Sequence, residues 1–203
     1  MIRLDKEGGL WIVTLDRPDK ANALTAAMLE DLTEIALSAG DARALILTGT
    51  GKVFSAGADL DEARAGLAKS DVWGRLSDAI AALPGLTIAA LNGTLAGGAT
   101  GMALACDIRI AVPDAKFFYP VMKRGFLPQP NDPPRMARLI GPARTKMIFM
   151  AGQKVPADEA LNWGLVDRIV PNESLLDEAR ALTTDICAAN AGIAQGISQL
   201  CKT

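Results

Sequence analysis

The sequence predicts an α/β fold whose chain ends in a helical arm. Short runs at 44–47 and 87–91 have strand length and read as strands buried on both faces, and a further strand is expected at 108–112. Helix-forming stretches separate these runs, and strands alternating with helices mark the α/β class. Half of the 203 residues are hydrophobic and 22% are charged, so the chain can bury a substantial core and is not disordered. No low-complexity linker or repeat interrupts it, which predicts one domain over 1–203: a strand-bearing core at 1–141 and a helical part at 142–203.

The chain opens as a hairpin of strands at 2–5 and 10–15 around Gly8-Gly9, and Asp16-Arg17-Pro18-Asp19 ends it. Thr25 is the expected N-cap of a helix through Ser38, with Leu24, Met28, Leu32, Ile35 and Ala36 along one face. Gly40-Asp41 stops that helix, and Thr48-Gly49-Thr50-Gly51 closes the strand at 44–47. Helical stretches follow from Asp59 and over 70–83, before the strand at 87–91. A glycine turn then leads to a small-residue helix at 99–105 and strands at 108–112 and 116–119. Pro128, Pro130, Pro133 and Pro134 predict an irregular loop, because each removes a backbone donor. From Pro142 onward the expectation is helix, with one strand at 167–170 and a last helix at 190–200.

The chain contains no histidine, which removes Ser-His-Asp and Cys-His triads, HExxH metal sites and histidine proton shuttles together. Acid or base chemistry must come from a carboxylate, a lysine, a cysteine, the single Tyr119 or water. The net charge is −2 and no Lys/Arg block exceeds two residues, which argues against nucleic acid as a partner. Cys106, Cys187 and Cys201 are an odd set without CxxC spacing, so we expect reduced thiols in the cytoplasm and no metal site. Acidic residues occupy the N-terminal region where a signal peptide would be apolar. Residues 79–106 carry no charge, but Pro84-Gly85, Asn92-Gly93, Gly97-Gly98 and Gly101 punctuate them. They read as a buried strand and helix and not as a membrane span.

Two nucleotide motifs fail on inspection. Gly49-Thr50-Gly51-Lys52 follows a strand but lacks the earlier glycine of a P-loop, where Ile46 stands, and has Val53 after the lysine. The stretch 96–101 nearly spells GxGxxG but begins with Ala96. What remains are two small-residue turns between strand and helix, 54–60 (FSAGADL) and 92–98 (NGTLAGG). Small residues let a ligand approach the backbone, and a helix start leaves N–H donors free. Two such turns converging would supply paired donors for one oxygen, an oxyanion hole.

Four segments resemble the crotonase (enoyl-CoA hydratase/isomerase) family: 15–24 (LDRPDKANAL), 44–60 (ALILTGTGKVFSAGADL), 91–108 (LNGTLAGGATGMALACDI), and 161–167 (LNWGLVD) with Val170-Pro171. They stand in family order and cover essentially the whole chain. The resemblance implies a crotonase-like spiral of ββα turns with a shortened helical C-terminal region. It also implies acyl-CoA substrates, coenzyme A entering as part of the substrate with no separate cofactor, and assembly as homotrimers or hexamers. It puts the thioester carbonyl against the backbone N–H groups of Ala56 and Gly98. It lines the CoA groove and acyl site with Ala21, Ala23, Ala58, Asp59, Leu60, Gly97, Gly101 and Val121. Asp59 has an equal claim as a carboxylate facing its own helix dipole.

The pattern breaks where the family's hydratases carry two glutamates, because Gly101 and Val121 stand at those positions. Each general acid or base contributes about 10²–10⁴ in rate, so efficient hydration is not expected. The candidate substitutes are Tyr119, Lys123, Arg124 and Asp132. Tyr119 also reads as a packed ring, Lys123 and Arg124 as a solvated face, and Asp132 as a turn or cap residue; Arg124 could clamp a substrate carboxylate. Cys106 is expected to pack. Three functions follow: residual hydratase or isomerase chemistry, decarboxylation of a malonyl-type thioester, and non-catalytic binding of acyl-CoA.

Overall fold

The computed structural model describes residues 1–201. β1 (Ile2–Glu7) and β2 (Leu10–Leu15) form the expected antiparallel hairpin, with Ile2 opposite Leu15. α1 (Ala26–Ser38) starts at Thr25, whose hydroxyl accepts from the Met28 N–H at 3.2 Å. The chain then repeats one step three times: a strand in a larger sheet, a short strand in a smaller one, and helix. The first step is β3 (Ala44–Gly49), β4 (Val53–Ser55), α2 (Leu60–Arg64) and α3 (Val72–Ala81). The second is β5 (Leu86–Leu91), β6 (Thr94–Ala96) and α4 (Thr100–Ala105). The third is β7 (Ile108–Ala111), β8 (Lys116–Phe118), α5 (Val121–Arg124) and α6 (Asp132–Phe149). The remainder is β9 (Val155–Pro156), α7 (Ala157–Trp163), β10 (Arg168–Ile169), α8 (Leu175–Ala181), α9 (Thr184–Ala188) and α10 (Ala191–Cys201).

The larger sheet runs β1-β2-β3-β5-β7-β10 and the smaller β4-β6-β8-β9, which is the spiral of ββα turns that the resemblance implies. All neighbours from β2 to β10 pair in parallel, which fits the largely apolar β3 and β5 at the centre of the sheet. Register aligns Ile12, Ile46, Ile88 and Ile108 in one row across four strands. Ile46 and Ile88 are wholly buried. Each contributes about 1.5–3 kcal/mol of burial, and truncating either to alanine costs about 2–5 kcal/mol.

One expectation is corrected. The proline-rich segment is not a loop through 134, because α6 already begins at Asp132. Pro133 and Pro134 lie in its first turn, where N–H groups have no intrahelical acceptor and a fixed φ costs nothing. The break comes at Gly141, with φ 80° and ψ 161°, directly before Pro142. The short strands β4, β6 and β9 were not anticipated, since two or three residues carry no legible periodicity.

Candidate functional site

β4 and β6 are parallel neighbours, with Val53 opposite Thr94, so the turns leaving them emerge side by side. They touch through backbone. Gly57 has φ +92°, and a Cβ there would lie 2.9 Å from the Ala96 carbonyl oxygen. Gly97 has φ +58°, with its Cβ position 3.7 Å from the Gly57 Cα. Glycine is needed at both places for backbone conformation, and at 57 also for contact distance. The α3 residue Trp73 backs the second turn: its indole N–H donates to the Leu67 carbonyl at 2.8 Å, and a Cβ on Gly98 would lie 3.0 Å from its ring.

A buried polar network fixes the first turn. Ala21 and Asn22 both have φ 51°, a left-handed conformation that costs of order 1–3 kcal/mol for each non-glycine residue. The Asn22 side chain offsets this. It accepts from the Arg17 N–H at 2.8 Å and donates to the Thr50 and Val53 carbonyls at 2.9 and 2.7 Å. The Ser55 hydroxyl donates to the Asn22 carbonyl at 2.8 Å. Arg17 reaches both the Ala23 carbonyl and the Asp59 carboxylate, at 2.9 and 2.8 Å.

This network corrects the expectation for Ala56 and agrees with the helix-end reading of Asp59. The Ala56 N–H donates to the Ala21 carbonyl at 3.0 Å, so it is engaged within the fold and is not an open donor. The Asp59 carboxylate pairs with Arg17 and caps α2 by accepting from the Asp61 N–H at 3.1 Å. Arg17 accordingly holds that carboxyl below its ordinary range.

Two residues further on, Ala58 is placed differently. Leu24 forms a parallel bridge with Ala58 by donating to the Gly57 carbonyl at 2.7 Å and accepting from the Asp59 N–H at 2.8 Å. Backbone groups alternate sides along an extended segment, so the Ala58 N–H points away from Leu24. Ala58, Gly97 and Gly98 are among the residues that line a cleft of about 140 Å³. Gly98 sits in a single 3-10 turn before α4, in the first-turn position where an N–H has no helical acceptor.

The same cleft is lined by Ala56, Leu60, Tyr119, Val121 and Arg124, and it is mostly apolar. Val121 is buried there, whereas Lys123 and Arg124 are exposed on α5. Ala21, Ala23 and Asp59 stand behind the first turn, outside the cleft wall. Gly101 and Asp132 lie outside the wall as well, but they meet each other. Asp132 is fully buried, not an exposed turn residue, and a Cβ on Gly101 would fall 2.6 Å from its Oδ1. The Tyr119 hydroxyl donates to Asp132 Oδ2 at 2.9 Å, while Oδ1 has no hydrogen-bond partner. Burial pushes the Asp132 carboxyl up to about 7, opposed by the Tyr119 hydrogen bond and by Arg135. Burial and the neighbouring carboxyl also raise Tyr119. Cys106 is buried, its thiol donates to the Met102 carbonyl at 3.3 Å, and desolvation pushes it up to about 12, so it packs as expected.

The α6 position of Asp132 carried a signal that was not used: Asp-Pro-Pro is a helix start, and a helix there turns Asp132 inward. Trp73 carried none, because an aromatic at helical spacing reads as core.

The family model described as enoyl-CoA hydratase/isomerase matches residues 5–202. The short-chain-enoyl-CoA hydratase of Clostridium acetobutylicum is 34% identical over 209 residues, covering 97% of this chain and 78% of that protein. The crystal structure of an enoyl-CoA hydratase from Bacillus anthracis superposes with a TM-score of 0.87 at 33% identity, covering 96% of this chain and 79% of that one. A Pseudomonas aeruginosa structure, DspI, gives a TM-score of 0.89 at 31% identity over 98% of this chain and 85% of its own. With its ββα spiral, its paired turns and matches of this extent, the chain belongs to the enoyl-CoA hydratase/isomerase family.

Proposed function

We propose that this chain is an acyl-CoA enzyme that holds the thioester carbonyl between the backbone N–H groups of Ala58 and Gly98 and works through an enolate. One observation carries the reading: Leu24 takes up the groups flanking Ala58, which turns the Ala58 N–H away from Leu24, and Ala58 and Gly98 line the same cleft. Two fixed donors on one oxygen stabilise the charge that appears there when the α-carbon becomes an enolate, each worth roughly 10²–10³ in rate. The apolar walls receive the acyl chain and strengthen those hydrogen bonds by excluding water. Leu60 at the mouth and the backbone of the first turn border the path of the pantetheine arm. Coenzyme A arrives as part of the substrate, and the protein works in the cytoplasm as one domain assembled into trimers or hexamers.

Gly101 and Val121 offer no acid or base for water addition, so the enolate must arise another way. Loss of CO₂ from a malonyl-type thioester makes it without removing a proton, and Arg124 on the cleft wall can hold the departing carboxylate. Incubation with 2-enoyl-, 3-enoyl-, malonyl- and methylmalonyl-CoA, read by mass spectrometry with melting temperature followed in parallel, tests this. Loss of CO₂ or double-bond migration supports it. Stabilisation with every thioester left unchanged would make the protein a binder, and no stabilisation by any thioester would remove the site.

A further inference from the structure

We infer that Tyr119 and Asp132 form the proton-exchange pair of this cleft, Tyr119 facing the substrate and Asp132 supplying and receiving the proton behind it. The inference rests on the thioester reading above and adds the group that reading lacks. Tyr119 lines the cleft, and its hydroxyl is 2.9 Å from Asp132 Oδ2. Asp132 is wholly enclosed, and its Oδ1 is left without a partner against Gly101, one helical turn beyond Gly98.

An orphaned oxygen is costly on a buried carboxylate and far less so on a neutral acid, where it is an uncharged carbonyl. The enclosure therefore favours the protonated acid. Its O–H then lies on the Tyr119 side, where the contact can run in either direction because both oxygens carry lone pairs. With Asp132 donating to Tyr119, the phenolic O–H is free to turn into the cleft. The titratable and charged groups acting on Asp132 are Tyr119 and, one turn along α6, Arg135. The α4 side presents Gly101, and any side chain at 101 would take the space the carboxyl occupies.

The step balances without a co-reactant. As the enolate carbon is protonated, the Tyr119 O–H bond breaks and a C–H bond forms; the Asp132 proton moves to Tyr119, leaving a carboxylate that regains its proton from cleft water by way of the Tyr119 hydroxyl. In reverse, the Cα–H bond breaks towards the Tyr119 oxygen, and the phenolic proton passes to the Asp132 carboxylate. Tyr119 is thus the catalytic residue and Asp132 a positioning residue that sets its proton.

Butyryl-CoA incubated in D₂O and read by mass spectrometry isolates this exchange from the overall reaction. The wild-type protein should incorporate deuterium at the α-carbon. Tyr119→Phe and Asp132→Asn, both nearly isosteric, should each slow incorporation by at least about 10²-fold while butyryl-CoA still raises the melting temperature as in wild type. The exchange rate of the wild type should also show an inflection with pH that Asp132→Asn removes, which a purely structural role would not do. Exchange at the wild-type rate in both variants, or a wild-type protein that is stabilised but does not exchange, would overturn the pair and leave the thioester site standing. A wild-type protein that butyryl-CoA neither stabilises nor labels would overturn both.

Discussion

The two walls of the cleft solve opposite problems. On the wall built by the turn 56–59, the polar groups find partners: Asn22, Arg17, Ser55 and the Ala56 N–H are all bonded within the fold. The Ala58 N–H, on the side of the segment away from Leu24, is the donor proposed for the substrate. Behind the opposite wall, which Tyr119 and Val121 line, Gly101 leaves room for the buried Asp132 carboxyl, one of whose oxygens stays unpaired. The first wall is rigid and complete before any ligand arrives. The second stores its unmet demand in one residue, Asp132. The difference separates orientation, which a satisfied network provides, from proton transfer, which needs a group that is not satisfied.

The largest effect expected is at the donors. Gly98→Pro deletes one N–H of the pair and should reduce any thioester turnover by at least about 10²–10³-fold in a protein that still melts cooperatively. Asn22→Ala attacks the scaffold of the same wall. It removes the donor to the half-buried Thr50 carbonyl and the shorter of two donors to that of Val53, and chemical denaturation should show a loss of about 2–4 kcal/mol. If this loss were under about 1 kcal/mol, the picture of a rigid first wall would break.

On the second wall the test is non-additivity. Gly101→Ala drives a Cβ to 2.6 Å from Asp132 Oδ1 and should cost about 1–3 kcal/mol. In an Asp132→Ala background the same change should become neutral or slightly stabilising, since alanine is the better helix former. Additive effects would mean that the two sites do not share that space.

The last prediction concerns pH. Asp132 titrates near 7 in the folded chain against about 4 when unfolded, so the unfolded chain gives up its proton first as pH rises. Stability contributed by the bound proton is therefore present below about pH 4, falls through the window from 4 to 7, and is gone above 7. Asp132→Asn has no such proton. Its stability relative to wild type should rise across that window by up to about 2–4 kcal/mol and then level off. A difference that does not change with pH would mean that Asp132 is ionised and paired throughout.

The first wall was legible in the sequence because it is local. The segments 15–24, 44–60 and 91–108 announce strand, turn and helix start in their own residues, and the α/β class follows from the alternation of strands such as β3, β5 and β7 with helices. What the residues did not reveal was parity. Whether Ala56 or Ala58 offers its N–H depends on which side of the segment Leu24 occupies, a pairing 34 residues away in sequence from Ala58. The second wall was illegible for the same reason, more strongly. Gly101, Tyr119 and Asp132 come from three elements, and no local pattern brings them together. The prolines at 133 and 134 also pointed to a loop, where their place in a first helical turn makes them compatible with α6.

The central claim, that Ala58 and Gly98 polarise a thioester carbonyl, is tested most directly by infrared difference spectroscopy on butyryl-CoA labelled with ¹³C at its carbonyl. Bound to the wild-type protein, the labelled C=O band should move to lower frequency than in free solution, because two hydrogen bonds weaken the double bond. Gly98→Pro should return it most of the way. A bound ligand whose carbonyl band matches that in water, or a shift that survives Gly98→Pro unchanged, would contradict the account.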